Sequence, residues 1–435
     1  MRALLRENAP CVFVATAGCA IVGWLGLYGF AWNDYEQEAQ PAFKALVGGH
    51  LLEFLRLAPA YGGSLIERAP FALIPGLWGG GELAVYRMVA LPCLLAGALL
   101  GVWLVARMRA RGASRLARAV ALALCVANPV TLVALELGHS EELLGACLCI
   151  AAVLFAASAS ASERRAPALL AGLALGLAIA SKETALLAAG PVLAALPARK
   201  RLPCLLSAGA VTALVLGPLL LVPGGTFAAS SRVVASTDNT IFQPWQIWWF
   251  LGHHGALVRG SFGVPHPGYR TGPAWVSTIS HPLVVALGAA LALGLLVRSR
   301  RLERSGAGPL PRQAALLALA FIALLRCVLD TWDITYYMLP FLLALLVWET
   351  DHAPRRPPLL ALLASALTWA SFVGLHVRIS ADAQAAFFLA WTLPLAVMLG
   401  WRLARGTRPA TPGRLRQLVS QEITVRTFGS RVSTS

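Results

Sequence analysis

The chain has 435 residues, of which 58% are hydrophobic and only 13% charged, and its mean hydropathy is +0.69. That leaves too little polar material to cover a soluble core of this size, which excludes a soluble globular enzyme and implies a polytopic membrane protein whose lipid-facing side chains replace a polar surface. Long Leu/Ala/Val runs without the alternation of a barrel strand make the fold all-α, and eight cysteines, all within or at the ends of apolar runs, form no metal or disulfide framework.

At roughly 20 residues per span, about twelve transmembrane helices are predicted. The first, about 10–31, follows Arg2 and Arg6 and is long enough to cross a bilayer, so it is read as an uncleaved helix rather than a signal peptide. Directly after it, Trp32-Asn33-Asp34-Tyr35-Glu36-Gln37-Glu38 places three carboxylates within five residues. A long outer loop, about 32–82, follows; Phe43, Leu46, Val47, Leu51, Leu52, Phe54 and Leu55 mixed with Lys44, His50, Glu53 and Arg56 predict a helix lying in the membrane interface.

Helices are then expected at about 83–106, 117–136 and 142–160. The apolar block 167–197 is too long for one span and is broken by Ser181-Lys182-Glu183, so it reads as two helices meeting at Lys182. Further spans are expected at about 204–222, 282–298, 313–329, 335–349, 357–377 and 384–402. A second long outer loop, about 223–281, carries Trp245, Trp248, Trp249 and Trp275 with His253, His254 and His266, the tryptophans reading as interfacial belt or packing. Residues 1–402 thus form one membrane domain, and 403–435 a basic tail.

Charge orients the chain. With the N-terminus inside, the inner segments hold 26 of the 36 Lys and Arg but only 6 of the 20 acids, making the inner face +20 and the outer face −4. This positive-inside pattern predicts a multi-pass protein of the plasma membrane with both termini cytoplasmic, and it accounts for the net charge of +16 without a nucleic-acid partner.

The remaining charges gather at the outer junctions: Asp34 and Glu36; Arg87 one turn into the second helix; His139, Glu141 and Glu142; Lys182 and Glu183; Arg326, Asp330 and Asp333. Charges this close to hydrocarbon are costly unless paired or lining a wet cavity, so as a set they point to a site. Arg326 and Asp330, at i and i+4, are also spaced for a helix-end ion pair. Acids beside cations suit glycosyl transfer from a lipid-linked sugar. A carboxylate, Asp34 or Glu36, would take the acceptor hydroxyl's proton, and Lys182, Arg87 or Arg326 would stabilise the departing phosphate.

An acid just after helix one, an interfacial helix in the first outer loop and paired short helices resemble the GT-C superfamily of membrane glycosyltransferases, which use polyprenyl-phosphate sugars. Gly138-His139-Ser140-Glu141 opening a helix, with the run from Leu170 to Lys182, looks more closely like glycosyltransferase family 87, which includes bacterial mannosyltransferases. The resemblance covers the first half of the chain well and the second half in layout. It implies a catalytic Asp at Asp34, a second acidic motif at His139 and Glu141, and the family's Lys at Lys182, where Glu183 stands in place of the commoner Pro. A further catalytic His would be His253 or His254. The implied activity is transfer of a mannose-like hexose to a lipid or cell-envelope glycan acceptor, with no metal and no cofactor. The competing expectations are a transporter or lipid-glycan flippase, and an inactive scaffold with the same fold.

Overall fold

The computed structural model describes residues 11, 14–15, 17–18, 34–236, 241–254, 258–259, 265–266, 268–376 and 378–405. Most of the expected first helix, Trp32, Asn33 and most of the basic tail lie outside the described residues. What is described is almost entirely helical.

The segment expected to form the first outer loop is a folded layer. After Asp34 the backbone makes one π-helical turn, Tyr35–Ala39, then three short helices: α1 Gln40–Val47, α2 Leu51–Arg56 and α3 Gly62–Ala72. The single interfacial helix expected here is split in two, because Gly48 and Gly49 end α1 and Gly49 turns the chain with φ +82. The division by face follows the amphipathic pattern. Phe43, Leu46 and Phe54 are buried, while Val47, Leu51 and Leu52 remain exposed beside Lys44, Glu53 and Arg56. The third helix, α3, is an addition to the expected elements.

The bundle follows. It comprises α4 Glu82–Ala110, α5 Arg115–Val126, α6 Pro129–Leu137, α7 Glu141–Ala159, α8 Ala166–Ser181, α9 Ala189–Ala195 and α10 Ala198–Leu221. After the second outer loop, with α11 Phe227–Ser236 in it, come α12 Ala274–Arg304, α13 Arg312–Leu329, α14 Leu339–His352, α15 Leu359–Trp369 and α16 Ala381–Arg405. The expected helix 117–136 is interrupted at Asn128-Pro129. Pro129 has no N–H to continue the ladder, and the Asn128 side chain caps α6 by accepting from Val130 N at 3.0 Å. The 167–197 block breaks at Lys182, whose backbone is extended, and re-enters through a 3₁₀ turn over Glu183–Ala188.

Seven segments among the described residues are long and apolar enough to cross a membrane: Glu82–Ala110, Arg115–Leu137, Glu141–Ala159, Ala198–Leu221, Ala274–Arg304, Arg312–Leu329 and Ala381–Arg405. Apart from the first, most of which lies outside the described residues, the other expected spans are shorter apolar helices: α8, the 183–195 segment, α14 and α15. Burial separates inside from outside: 61% of the apolar window of α4 is buried, against 17% for α10 and 22% for α12. Leucines such as Leu206, Leu214 and Leu221 on α10 therefore face outward, which suits lipid and not water.

Two ends result. One collects residues 34–82, the α6–α7 junction, the Lys182 break, the α13–α14 junction and the segment 223–273, whose strands among the described residues are each two residues long, Ile241–Phe242 and His253–His254 among them. The other collects the arginine-rich turns after α4, α7, α9, α12 and α14.

Candidate active site

A glycine builds the centre of the acidic end. Helix α6 ends at Gly138, whose φ of +94 lets His139 N–H reach back to Ala134 O at 2.8 Å and points the chain into α7. The same glycine lets the π-turn approach: a Cβ at this position would stand 2.6 Å from Tyr35 Cβ and 2.9 Å from Tyr35 N. Asp34 is thereby brought against His139, although 105 residues separate them in sequence.

The contact opens a chain of charges. His139 Nε2 lies 3.3 Å from Asp34 Oδ2, and His139 Nδ1 lies 2.7 Å from Glu141 Oε1. Arg68, on α3, pairs with Glu141 Oε2 at 3.3 Å and donates to Ser140 Oγ, Ser64 Oγ and Ser64 O, each at 3.0 Å. Aromatic rings fix the imidazole, Tyr336 stacked on it with centroids 4.4 Å apart and Tyr61 edge-on at 5.2 Å. Burial disfavours charge on His139, but the Glu141 charge and the hydrogen bonds to Asp34 and Glu141 outweigh it, and the imidazole is pushed up to about 9. At neutral pH it is an imidazolium donating from both nitrogens, so two positive groups (Arg68, His139) alternate with two negative ones (Glu141, Asp34). Of the four, Asp34 alone is substantially open, with 32% of its side chain exposed against 6% or less for the others.

A second branch runs beside the first. Glu142, next in sequence to Glu141, forms an ion pair with Lys182. Lys182 Nζ lies over the rings of Tyr337 and Tyr336, 4.3 and 5.7 Å from their centroids, and the Arg326 guanidinium sits 3.9 Å from the centroid of Tyr337. Arg326 in turn pairs with Asp330 at 3.2 Å and Asp333 at 3.8 Å, and His281 meets Asp330 at 3.1 Å. Burial would raise Asp330, but Arg326 and His281 hold it below the usual carboxylate range. Asp333 is different: burial pushes it well above that range, offset only in part by Arg326, Cys327 and the Ile334 N–H. Glu67 on α3 accepts from Ser181 Oγ at 2.6 Å, and burial, offset in part by Ser181 and Arg68, pushes it up to about 7.

Asp34, His139, Glu141, Lys182 and Arg326 are thus linked through shared partners. Of the three cations expected to meet phosphate, Lys182 and Arg326 are each matched by a carboxylate, so neither is a bare charge awaiting a ligand. Glu36 is exposed and is not a member of the ion pairs above. Its neighbour Glu38, one turn after Asp34, is the acid on the same face: it too reaches the surface, yet the surrounding protein raises its carboxyl, with His139 and Tyr61 beside it offsetting this in part. Arg87 lies half-buried on α4 and is not a member of the ion pairs above. His253 and His254 are exposed in the second outer loop, where His254 lies 3.6 Å from Asp382 in a separate cluster with Arg270. The loop's tryptophans are anchors: Trp245 donates to Ser371 O, Trp248 to Leu329 O and Trp249 to Asp382. No group of three or more His, Cys, Asp or Glu among the described residues is placed to hold a metal ion.

Sequence reasoning missed Arg68, Glu38, Tyr336 and Tyr337. Arg68 carried one signal, its spacing of four from Ser64 beside Glu67 in a mostly apolar stretch; Tyr336-Tyr337 carried another, an aromatic pair three residues after Asp333.

Comparison of the chain with protein-family models, curated proteins and solved structures finds no match.

Proposed function

We propose that this chain is a membrane glycosyltransferase of the GT-C kind, with about twelve membrane passes, termini in the cytoplasm and the Asp34 end on the outer face. It transfers a mannose-like hexose from a polyprenyl phosphate to a hydroxyl of a lipid or cell-envelope glycan. The observation that carries this reading is the charge chain Asp34–His139–Glu141–Arg68, open to solvent only at Asp34 and lying beside Lys182 and Arg326.

In an inverting single displacement, Asp34 takes the acceptor's proton as the hydroxyl oxygen attacks the anomeric carbon and the bond to phosphate breaks. His139 holds the carboxylate through Nε2 and is itself fixed by Glu141 and the two tyrosines; Arg68 fixes Glu141. The departing phosphate gains charge and is met by Lys182, which has three N–H donors and spends one on Glu142, with Arg326 next to it across Tyr337. The positive-inside charge distribution supports the orientation, and an outer site favours a lipid-linked donor over a cytoplasmic nucleotide sugar. The first outer layer, with Leu51 and Leu52 exposed beside Lys44 and Arg56, suits a lipid substrate delivered from the bilayer.

A transporter or flippase is the reading from another class, and one observation favours it: Glu142, paired with the partly buried Lys182, and Asp333 are buried titratable groups of the kind that carry protons in transport. Purified protein incubated with a polyprenyl-phosphate hexose and a lipid acceptor decides between the two. Formation of glycosylated acceptor is the expected result; donor flipped across a vesicle membrane without transfer would replace this reading with transport.

A further inference from the structure

The basic end holds a second cluster that the proposed chemistry does not use. Three guanidiniums converge on one buried carboxylate. Arg107 Nε lies 3.3 Å from Asp351 Oδ1, Arg111 Nη1 2.9 Å from the same atom, and Arg312 takes both oxygens, Nη2 at 2.5 Å and Nε at 3.1 Å. Asp351 is closed off, with 4% of its side chain exposed, whereas the three arginines keep 30%, 33% and 27%. Tying α4, α13 and α14 together would need one or two cations. Three leave a charge of +2 beside a small cleft between α4, α7, α13 and α14 whose lining includes Leu154 and Leu316.

No neighbouring acid balances that charge. Among the described residues Glu349 is turned to accept from Leu360 N and Ala361 N, Glu303 pairs with Arg201, and Glu163 pairs with Arg199. Arg355, exposed, adds a fourth guanidinium nearby by donating to Arg111 O at 3.5 Å. Arg107 bonds Asp351 through Nε alone and Arg111 through Nη1 alone, and both side chains are partly exposed, so N–H donors on both forks remain for a ligand.

We propose that this arginine cluster binds the phosphodiester headgroup of an anionic phospholipid, with Arg107 and Arg111 on the phosphate. Forked donors match phosphate oxygens, and a basic pocket between helices at the membrane surface is where such headgroups are held. A lipid headgroup is favoured over a soluble anion because the cluster lies at the ends of α4 and α13, two of the segments long and apolar enough to cross a membrane.

Native mass spectrometry of the full chain, released from mixed micelles containing equal phosphatidylglycerol and phosphatidylcholine, tests this on the wild type. Selective retention of phosphatidylglycerol is expected; equal retention of the two lipids would overturn it. Arg107→Gln with Arg111→Gln should weaken phosphatidylglycerol binding about fivefold per arginine, roughly 25-fold together; unchanged affinity would also overturn it. Phosphatidylglycerol should raise the unfolding midpoint of the wild type while inorganic phosphate at the same concentration should not, and equal shifts from the two would reassign the site to free phosphate. None of these readouts depends on glycosyl transfer.

Discussion

Gly138 ties two chemical requirements to one atom it lacks. Its φ of +94 turns α6 into α7, and the missing Cβ makes room for Tyr35, so that Asp34 reaches His139. Gly138→Val should therefore lower the unfolding midpoint through left-handed strain of about 1–3 kcal/mol plus the clash with Tyr35, and should lower activity further than that loss of stability explains. His139 gives a pH signature. Its folded-state value of about 9 lies above the ordinary 6.5, so its contribution is complete below about pH 6.5 and is lost as pH rises through about 9. The unfolding midpoint should fall across that window in the wild type and fall less in His139→Gln; parallel curves would contradict the imidazolium assignment. At this scale Asp34, His139, Glu141 and Lys182 were legible because each stands as a charge beside an apolar run. Glu38 in place of Glu36 was not, since only the π-turn shows which acid shares the face of Asp34. Arg68 was not, since its partner Glu141 lies 73 residues away.

Among the elements, α8 owes its place to two more glycines. A Cβ at Gly172 would stand 2.3 Å from Cys204 O, and one at Gly176 2.6 Å from Ala208 O, so this small-xxx-small face lets α8 and α10 approach backbone to backbone. Because α8 ends at Ser181 and presents Lys182, the contact also sets the Lys182 position relative to Glu142. Gly176→Leu should separate the helices, lower the unfolding midpoint and reduce transfer, whereas the same change at Gly209, with nothing within 4 Å of a Cβ, should do neither. The break at Lys182 was readable because a 31-residue apolar block cannot be one ordinary span. The break at Asn128-Pro129 was concealed by a hydropathy that runs straight through it, and α3 by its position in a segment too short and too polar to read as a span.

Over the whole molecule, the all-helical build and the separation of a basic end from an acidic one were legible from composition and charge alone, because lipid demands helices and arginine counts differ between loops. The number of passes was less so: seven segments among the described residues have the length and hydropathy to cross, and the shorter apolar helices are packed between them. Single cysteines placed at Glu53 and at Arg356, both on the surface and at opposite ends, should react with an impermeant thiol reagent from opposite sides of a sealed cell, Glu53→Cys from outside. The reverse labelling would place the acidic end in the cytoplasm and remove the case for an outer, lipid-linked donor.

The most direct measurement is transfer of hexose from a polyprenyl phosphate to a lipid acceptor by purified wild type, Asp34→Asn and Glu36→Gln, each checked for an unchanged unfolding midpoint. The expected result is that Asp34→Asn loses at least about 100-fold, the scale of a lost general base, while Glu36→Gln stays near wild type. Wild-type transfer by Asp34→Asn would contradict the assignment of Asp34 as the base, and with it the positioning role of the charge chain behind it.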